Sequence, residues 1–246
     1  MKKLIFAAAA VAGMGAFALE SANVVGYGEV EAAAGSSMKT PIFEKVADEG
    51  YDLSAIEVVG GEGIGDVCAQ TISAEGDWDG EYYYLTEDGA GVATGWYKDA
   101  TGEEAVEPGE VILPRGGAFF LNSDYNDLTL KVAGQVVKGD FVINFAVGCG
   151  QVGNGLPVAA DLTTVTVDGG EGIGDVCAQT ISAEGEWDGE YYYLTEDGAG
   201  VDTGWYKDAT GEEPVIEGDV VLDPGTSVFL NSDYNDLTLT IPAVIE

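Results

Sequence analysis

Apolar positions along this chain recur in short alternating or continuous runs rich in Val, Ile, Tyr and Phe, broken by Gly, Asp and Asn. That pattern predicts strands, because side chains alternate between the two faces of a pleated backbone while glycine and Asx residues turn it. In the first half the predicted strands are Val24 to Glu31, Ile56 to Val59, Val67 to Ser73, Glu81 to Leu85, Gly95 to Lys98, Val111 to Leu113, Ala118 to Leu121 and Leu128 to Val132. Turns are expected at Asp77-Trp78-Asp79-Gly80, at Glu87-Asp88-Gly89 and from Asn122 to Asp127. Helical periodicity is not sustained anywhere beyond the leader, and Ile42 to Glu49 carries enough for one short helix.

A repeat organises these elements. Gly60 to Glu104 recurs as Gly169 to Glu213, 109 positions later, with changes only at Asp77/Glu186 and Ala93/Asp202. Phe120 to Leu130 recurs as Phe229 to Leu239 at the same offset, and Asp52-Leu53 lines up with Asp161-Leu162. Each unit, about 110 residues, is long enough for a modest core of its own. The expected architecture is all-β, with two tandem small β-sandwich or barrel domains at residues 19–134 and 135–246.

Met1 to Ala18 reads as an export signal. Lys2 and Lys3 precede an apolar stretch from Leu4 to Ala12, and Ala16-Phe17-Ala18 has the small-x-small form of a cleavage site. The rest of the chain contains no further apolar run of spanning length, so a soluble exported protein without a membrane anchor is expected, secreted, periplasmic or on a bacterial surface.

Charge and composition then remove whole classes of function. The 246 residues carry 44 Asp+Glu against 9 Lys+Arg, a net charge of -35. That field has the wrong sign for nucleic-acid phosphates and for anionic membranes. Histidine is absent, which removes Ser-His-Asp and Cys-His nucleophile systems and His-ligated zinc.

Ser21-Ala22-Asn23-Val24-Val25-Gly26-Tyr27, Gly95-Trp96-Tyr97 and Pro114-Arg115-Gly116-Gly117-Ala118-Phe119-Phe120-Leu121 resemble the motifs of an uncharacterised family of secreted bacterial β-repeat proteins. The resemblance implies export and β architecture, and no activity. The second copy departs from it at Asp223-Pro224-Gly225 and at Gln135-Val136-Val137-Lys138-Gly139.

Candidate chemistry is confined to four features. Trp78, Tyr82, Tyr83, Tyr84 and Trp96, repeated as Trp187, Tyr191, Tyr192, Tyr193 and Trp205, either fill small β cores or form a face on which sugar rings stack. Strand alternation sets Tyr82 and Tyr84 on one face, with Tyr83 and Leu85 on the other. Asn122, Asp124 and Asn126, repeated as Asn231, Asp233 and Asn235, have the alternate spacing of calcium-loop ligands. Asp127 and Asp236 occupy the position where an EF-hand needs glycine, so the choice there is between ordinary hairpin turns and a different kind of calcium site. The remaining acidity is read as a solubility device or as further oxygen ligands for calcium. Cys68, Cys149 and Cys177 leave open a Cys149–Cys177 staple, a Cys68–Cys177 link between units, or a thiol that joins chains and so self-association. Paired carboxylates are the one catalytic option left, and no constellation singles out a pair. The expected function is therefore a non-enzymatic structural, surface or adhesive role, with carbohydrate binding through the Trp/Tyr clusters as the alternative.

Overall fold

The computed structural model describes residues 25–42, 50–61, 65–135, 139–170, 174–182 and 184–243. The leader and residues 43–49 of the short helix expected after Pro41 lie outside these. The chain is all-β. In its first half the strands are β1 (Val25–Ala32), β2 (Gly35–Lys39), β3 (Tyr51–Asp52), β4 (Glu57–Val59), β5 (Val67–Ile72), β6 (Trp78–Leu85), β7 (Gly95–Tyr97), β8 (Ile112–Leu113), β9 (Phe119–Ser123) and β10 (Leu128–Gln135). The second half runs β11 (Phe141–Phe145), β12 (Gly148–Gly153), β13 (Ala160–Asp161), β14 (Thr166–Asp168), β15 (Val176–Ile181), β16 (Trp187–Leu194), β17 (Gly204–Tyr206), β18 (Val221–Leu222), β19 (Ser227–Ser232) and β20 (Leu237–Ile241).

The same sheets form twice. β1-β10-β4 and β2-β9-β5-β6-β7 recur as β11-β20-β14 and β12-β19-β15-β16-β17, with the small pairs β3-β8 and β13-β18 beside them. Every strand pairing within these sheets is antiparallel. Alternation drives the layering: in β10, Leu128, Leu130 and Val132 point inward while Thr129, Lys131 and Ala133 point outward. The inward set meets Leu121 and Phe119 of β9 and Val67 and Ala69 of β5 in one cluster of buried side chains. A second cluster repeats it with Leu237, Leu239, Leu230, Val176 and Ala178. Burial of each such aliphatic side chain contributes roughly 1.5–3 kcal/mol.

Several expected boundaries move. Trp78, Asp79 and Gly80 belong to β6 rather than to a turn, and the chain reverses one step earlier, with positive φ at Gly76. Glu87–Ala90 is a single helical turn, because the Thr86 hydroxyl accepts from Gly89 N–H at its start and Gly91 ends it in the left-handed region. β10 continues through Gln135, paired with Val25, so a boundary between 134 and 135 falls inside a strand.

The repeat also extends further than sequence identity does. Val30 of β1 faces Leu130, and Ile143 of β11 faces Leu239. Ser37 of β2 faces Leu121, and Gly150 of β12 faces Leu230. The first two strands of each copy are thus equivalent although their residues have diverged.

Those divergent strands join the two copies through reciprocal contacts. Lys39 bridges Thr226, and its equivalent Val152 bridges Gly117. Thr40 N–H donates to Gly225 O at 2.9 Å, and Gly153 N–H donates to Gly116 O at 2.9 Å. Positive φ at Gly116 and Gly225 lets the backbone turn there, and the space a Cβ would need is filled by Ile143 and Val30 respectively. The two repeats are therefore related by a local two-fold, each laying its β2-type edge strand across the end of the other's five-stranded sheet. This self-complementary geometry is that of an isologous dimer within one chain.

Candidate functional site

The β6 strand divides the aromatic candidates between two environments. Tyr84 lies opposite Trp96 of β7 on the inner face, with ring centroids 5.3 Å apart and an edge-on angle of 70°. Trp96 is 3% exposed and its indole N–H donates to Ile56 O at 2.9 Å. Tyr193 and Trp205 repeat the pair at 5.2 Å, with the Trp205 N–H on Val165 O at 2.8 Å. Tyr84, Trp96, Tyr193 and Trp205 are therefore core residues, withdrawn from any ligand face, and each of the two indole N–H groups is satisfied by a buried backbone carbonyl. Tyr82 and Tyr191 are half-buried and pack against the same cores.

The outer face differs. Trp78 and Trp187 are 56% and 49% exposed. Trp78 stands edge-on to Phe120 at 4.8 Å, Phe120 meets Trp187 at 6.1 Å, and Trp187 meets Phe229 at 5.3 Å. Tryptophans from both repeats thus share one aromatic cluster across the junction, which buries Phe120 on what would otherwise be a wet sheet face.

Beside this cluster runs a groove of about 510 Å³, lined by residues of both repeats. The sheet register explains its floor. Phe120, Gln70 and Glu81 lie side by side on β9, β5 and β6, and the next row is Asn122, Cys68 and Tyr83. Ser36, Ile181, Gly185 and Trp187 complete it from the edge strand and from the second repeat. Gln70 Nε2 donates to Glu81 Oε1 at 3.4 Å, and the Cys68 thiol approaches the same oxygen at 3.6 Å. Burial, then the neighbouring Glu81 carboxylate, pushes the Cys68 thiol up to about 12. Burial and a hydrogen bond to Glu81 push the Tyr83 phenol up to about 12. Both groups are consequently neutral donors at physiological pH, and among the described residues lining the groove Glu81 alone carries a formal charge. In the second repeat Gln179 and Cys177 approach Glu190 at 3.4 and 3.6 Å, and Tyr192 is likewise raised to about 12.

The proposed cation turns are closed on themselves. Asn122 Nδ2 donates to Asp124 Oδ1 at 2.8 Å and Ser123 Oγ donates to Asn126 O at 2.5 Å. Asn231 and Asp233 repeat the first bond at 2.6 Å, and Ser232 Oγ reaches Asn235 O at 2.5 Å. These bonds give Asn122, Asp124, Asn126, Asn231, Asp233 and Asn235 a turn-closing role. Among the described residues no group of three or more Cys, Asp or Glu side chains is placed to hold a metal ion.

A second cavity of about 420 Å³ lies at the junction and is lined by Asp79, Glu110, Arg115 and Tyr82. Thr71 Oγ1 donates to Asp79 at 2.6 Å, while Lys98 contacts Glu110 at 2.5 Å. The Lys98 ammonium and the Glu107 N–H hold the Glu110 carboxyl below its ordinary range, which makes it a poor proton donor near neutral pH. The Arg115 guanidinium lies 5.0 Å from the centre of the Phe141 ring, tying the two repeats together.

The described cysteines are all free thiols. No helix among the described residues is long and apolar enough to cross a membrane. Comparison with protein-family models, with curated proteins and with solved structures gives no match to this chain. Glu81, Gln70 and Phe120 were not singled out in the sequence as site residues. Their place depends on which strands pair, and alternation within one strand does not carry that information.

Proposed function

We propose that this chain is a non-enzymatic, exported tandem β-repeat protein with an adhesive role, and that its contact with the outside is carbohydrate bound at the Trp78/Trp187 groove. The observation that carries this reading is the half-exposure of one tryptophan from each repeat on a shared groove whose floor offers Gln70, Glu81, Tyr83 and Asn122. Apolar sugar faces stack on indole rings, and hydroxyl groups require donors and acceptors alongside, so aromatic walls with a polar floor match that ligand class. Two separate cores support the companion reading of each repeat as a small β-sandwich domain. The leader Met1 to Ala18 supports export to the periplasm, the surface or the medium.

A screen of immobilised glycans with the mature protein tests this, followed by titration of the best binder with Trp78→Ala, Trp187→Ala and the double variant. Each single change is expected to weaken binding about tenfold, the equivalent of about 1.4 kcal/mol of stacking. Unchanged binding in the double variant contradicts the assignment.

A further inference from the structure

We infer that the glycan taken by this groove is an amino-sugar chain whose free amino groups are protonated, with Glu81 as the residue that recognises them. This rests on the carbohydrate reading above and narrows it to one substrate class. Charge supplies the first reason: Glu81 lines the groove, no Lys or Arg does so among the described residues, and the whole chain carries -35. Such a field repels uronate and sulfated glycans and concentrates cationic ones.

Geometry supplies the second. The Glu81 carboxylate is held by Gln70, Cys68 and the Tyr83 phenol. All three are neutral donors, so they fix its position without cancelling its charge. An ammonium group supplies the charge complement that they lack. Trp78, Trp187 and Tyr83 line the same groove, and their ring faces attract an organic cation as well as the apolar face of a sugar. A neutral hexose uses the rings and leaves the carboxylate unmatched, whereas an amino sugar uses both.

Repetition supplies the third. Glu190 has the same donors on the outer face of β15 and β16, and Trp187 of that strand packs against aromatics of both repeats. Two equivalent carboxylates, one per repeat, suit a polymer that presents a cation on successive units.

Calorimetric titration of the mature protein with five probes tests the proposal: a fully deacetylated glucosamine hexamer, its N-acetylated form, a neutral β-linked glucose hexamer, a uronate hexamer and hexalysine. The deacetylated hexamer is expected to bind at least tenfold tighter than the other four and to weaken as salt is raised. Glu81→Gln keeps the shape of the exposed side chain and is expected to abolish the preference over the N-acetylated form, leaving a weaker shared affinity carried by the tryptophans. Equal or tighter binding of the acetylated, neutral or uronate hexamer overturns the amino-sugar assignment while leaving a carbohydrate groove. Equal binding of hexalysine overturns it in favour of a peptide cation. Failure of every sugar probe overturns both this proposal and the carbohydrate reading beneath it.

Discussion

Cys149 and Cys177 lie on either side of Asn231, on the two strands that flank β19. Two strand spacings separate them, roughly 9–10 Å between Cα atoms, beyond the roughly 7 Å that a disulfide spans. The Cys149 thiol instead donates to Asn231 Oδ1 at 3.1 Å. Ser36 holds the same place in the first repeat, opposite Asn122. The staple between Cys149 and Cys177 that cysteine spacing left open is thus excluded by the register of the sheet.

The folded protein is expected to show three reduced thiols that react slowly. Cys68 and Cys177, both raised to about 12, are ionised to about one part in ten thousand at pH 8. Iodoacetamide labelling followed by peptide mass mapping checks this. Labelling in urea is expected to be fast at both positions, and a native Cys149–Cys177 crosslink would contradict the fold.

Acid resistance of two loops follows from Asp99 and Asp208. The Asp99 carboxylate accepts from the Thr101 hydroxyl and from the Thr101, Glu103 and Glu104 N–H groups, and Asp208 repeats this with Thr210, Glu212 and Glu213. Those bonds, led by the threonine hydroxyl, lower each carboxyl from 3.8 to about 2. A carboxyl lowered on folding adds stability above its unfolded value, and that contribution disappears as pH falls through the folded value. Carboxyl carbon NMR is therefore expected to show both groups still ionised at pH 3, with loop amides shifting only towards pH 2. Asp99→Asn is expected to remove the shift in the first loop and leave the second unchanged.

Gly116 and Gly225 test the junction. Alanine at either position meets Ile143 or Val30 of the other repeat and holds a positive φ. The expected cost is about 1–3 kcal/mol each, from strain plus overpacking. Gly109→Ala is the control: its φ is +84 and nothing lies within 4 Å of the added carbon. Urea denaturation is expected to rank both junction variants clearly below the control. Equal midpoints for the three would mean that the contacts across the local two-fold contribute nothing.

Trp96 and Trp205 are expected to behave as a matched structural pair. Phenylalanine at either removes an indole donor from a buried carbonyl, Ile56 O or Val165 O. The cost is about 1–3 kcal/mol for the orphaned acceptor, with a further loss for the smaller ring. Denaturation midpoints are expected to fall by similar amounts in the two variants and by much less in Trp78→Phe.

Much of the fold was legible because local pattern and tertiary burial agree. Leu128, Leu130 and Val132 alternate with polar neighbours and do face the core, and the offset of 109 positions announces two equivalent halves. β2 was not legible, since Gly35-Ser36-Ser37-Met38-Lys39 has little strand propensity and is held as an edge by pairing with β9. Its equivalence to β12 was hidden because backbone pairing tolerates side-chain replacement. At the site, Trp78 and Trp96 look alike in sequence, both beside Tyr or Asp in Gly-rich surroundings. Only the pairing of β6 with β7 puts Trp96 against Tyr84 in the core, and only the junction brings Trp187 to the groove floored by β5, β6 and β9.

In the proposed assignment Trp78 and Trp187, one from each repeat, serve one ligand groove while Trp96 and Trp205 serve the cores. Indole N–H resonances report the 4 tryptophans individually in a ¹⁵N correlation spectrum. On titration with the deacetylated glucosamine hexamer, Trp78 and Trp187 are expected to shift together along one saturation curve while Trp96 and Trp205 stay in place. Shifts confined to one repeat, or no movement of Trp78 and Trp187 under saturating ligand, would contradict the shared groove.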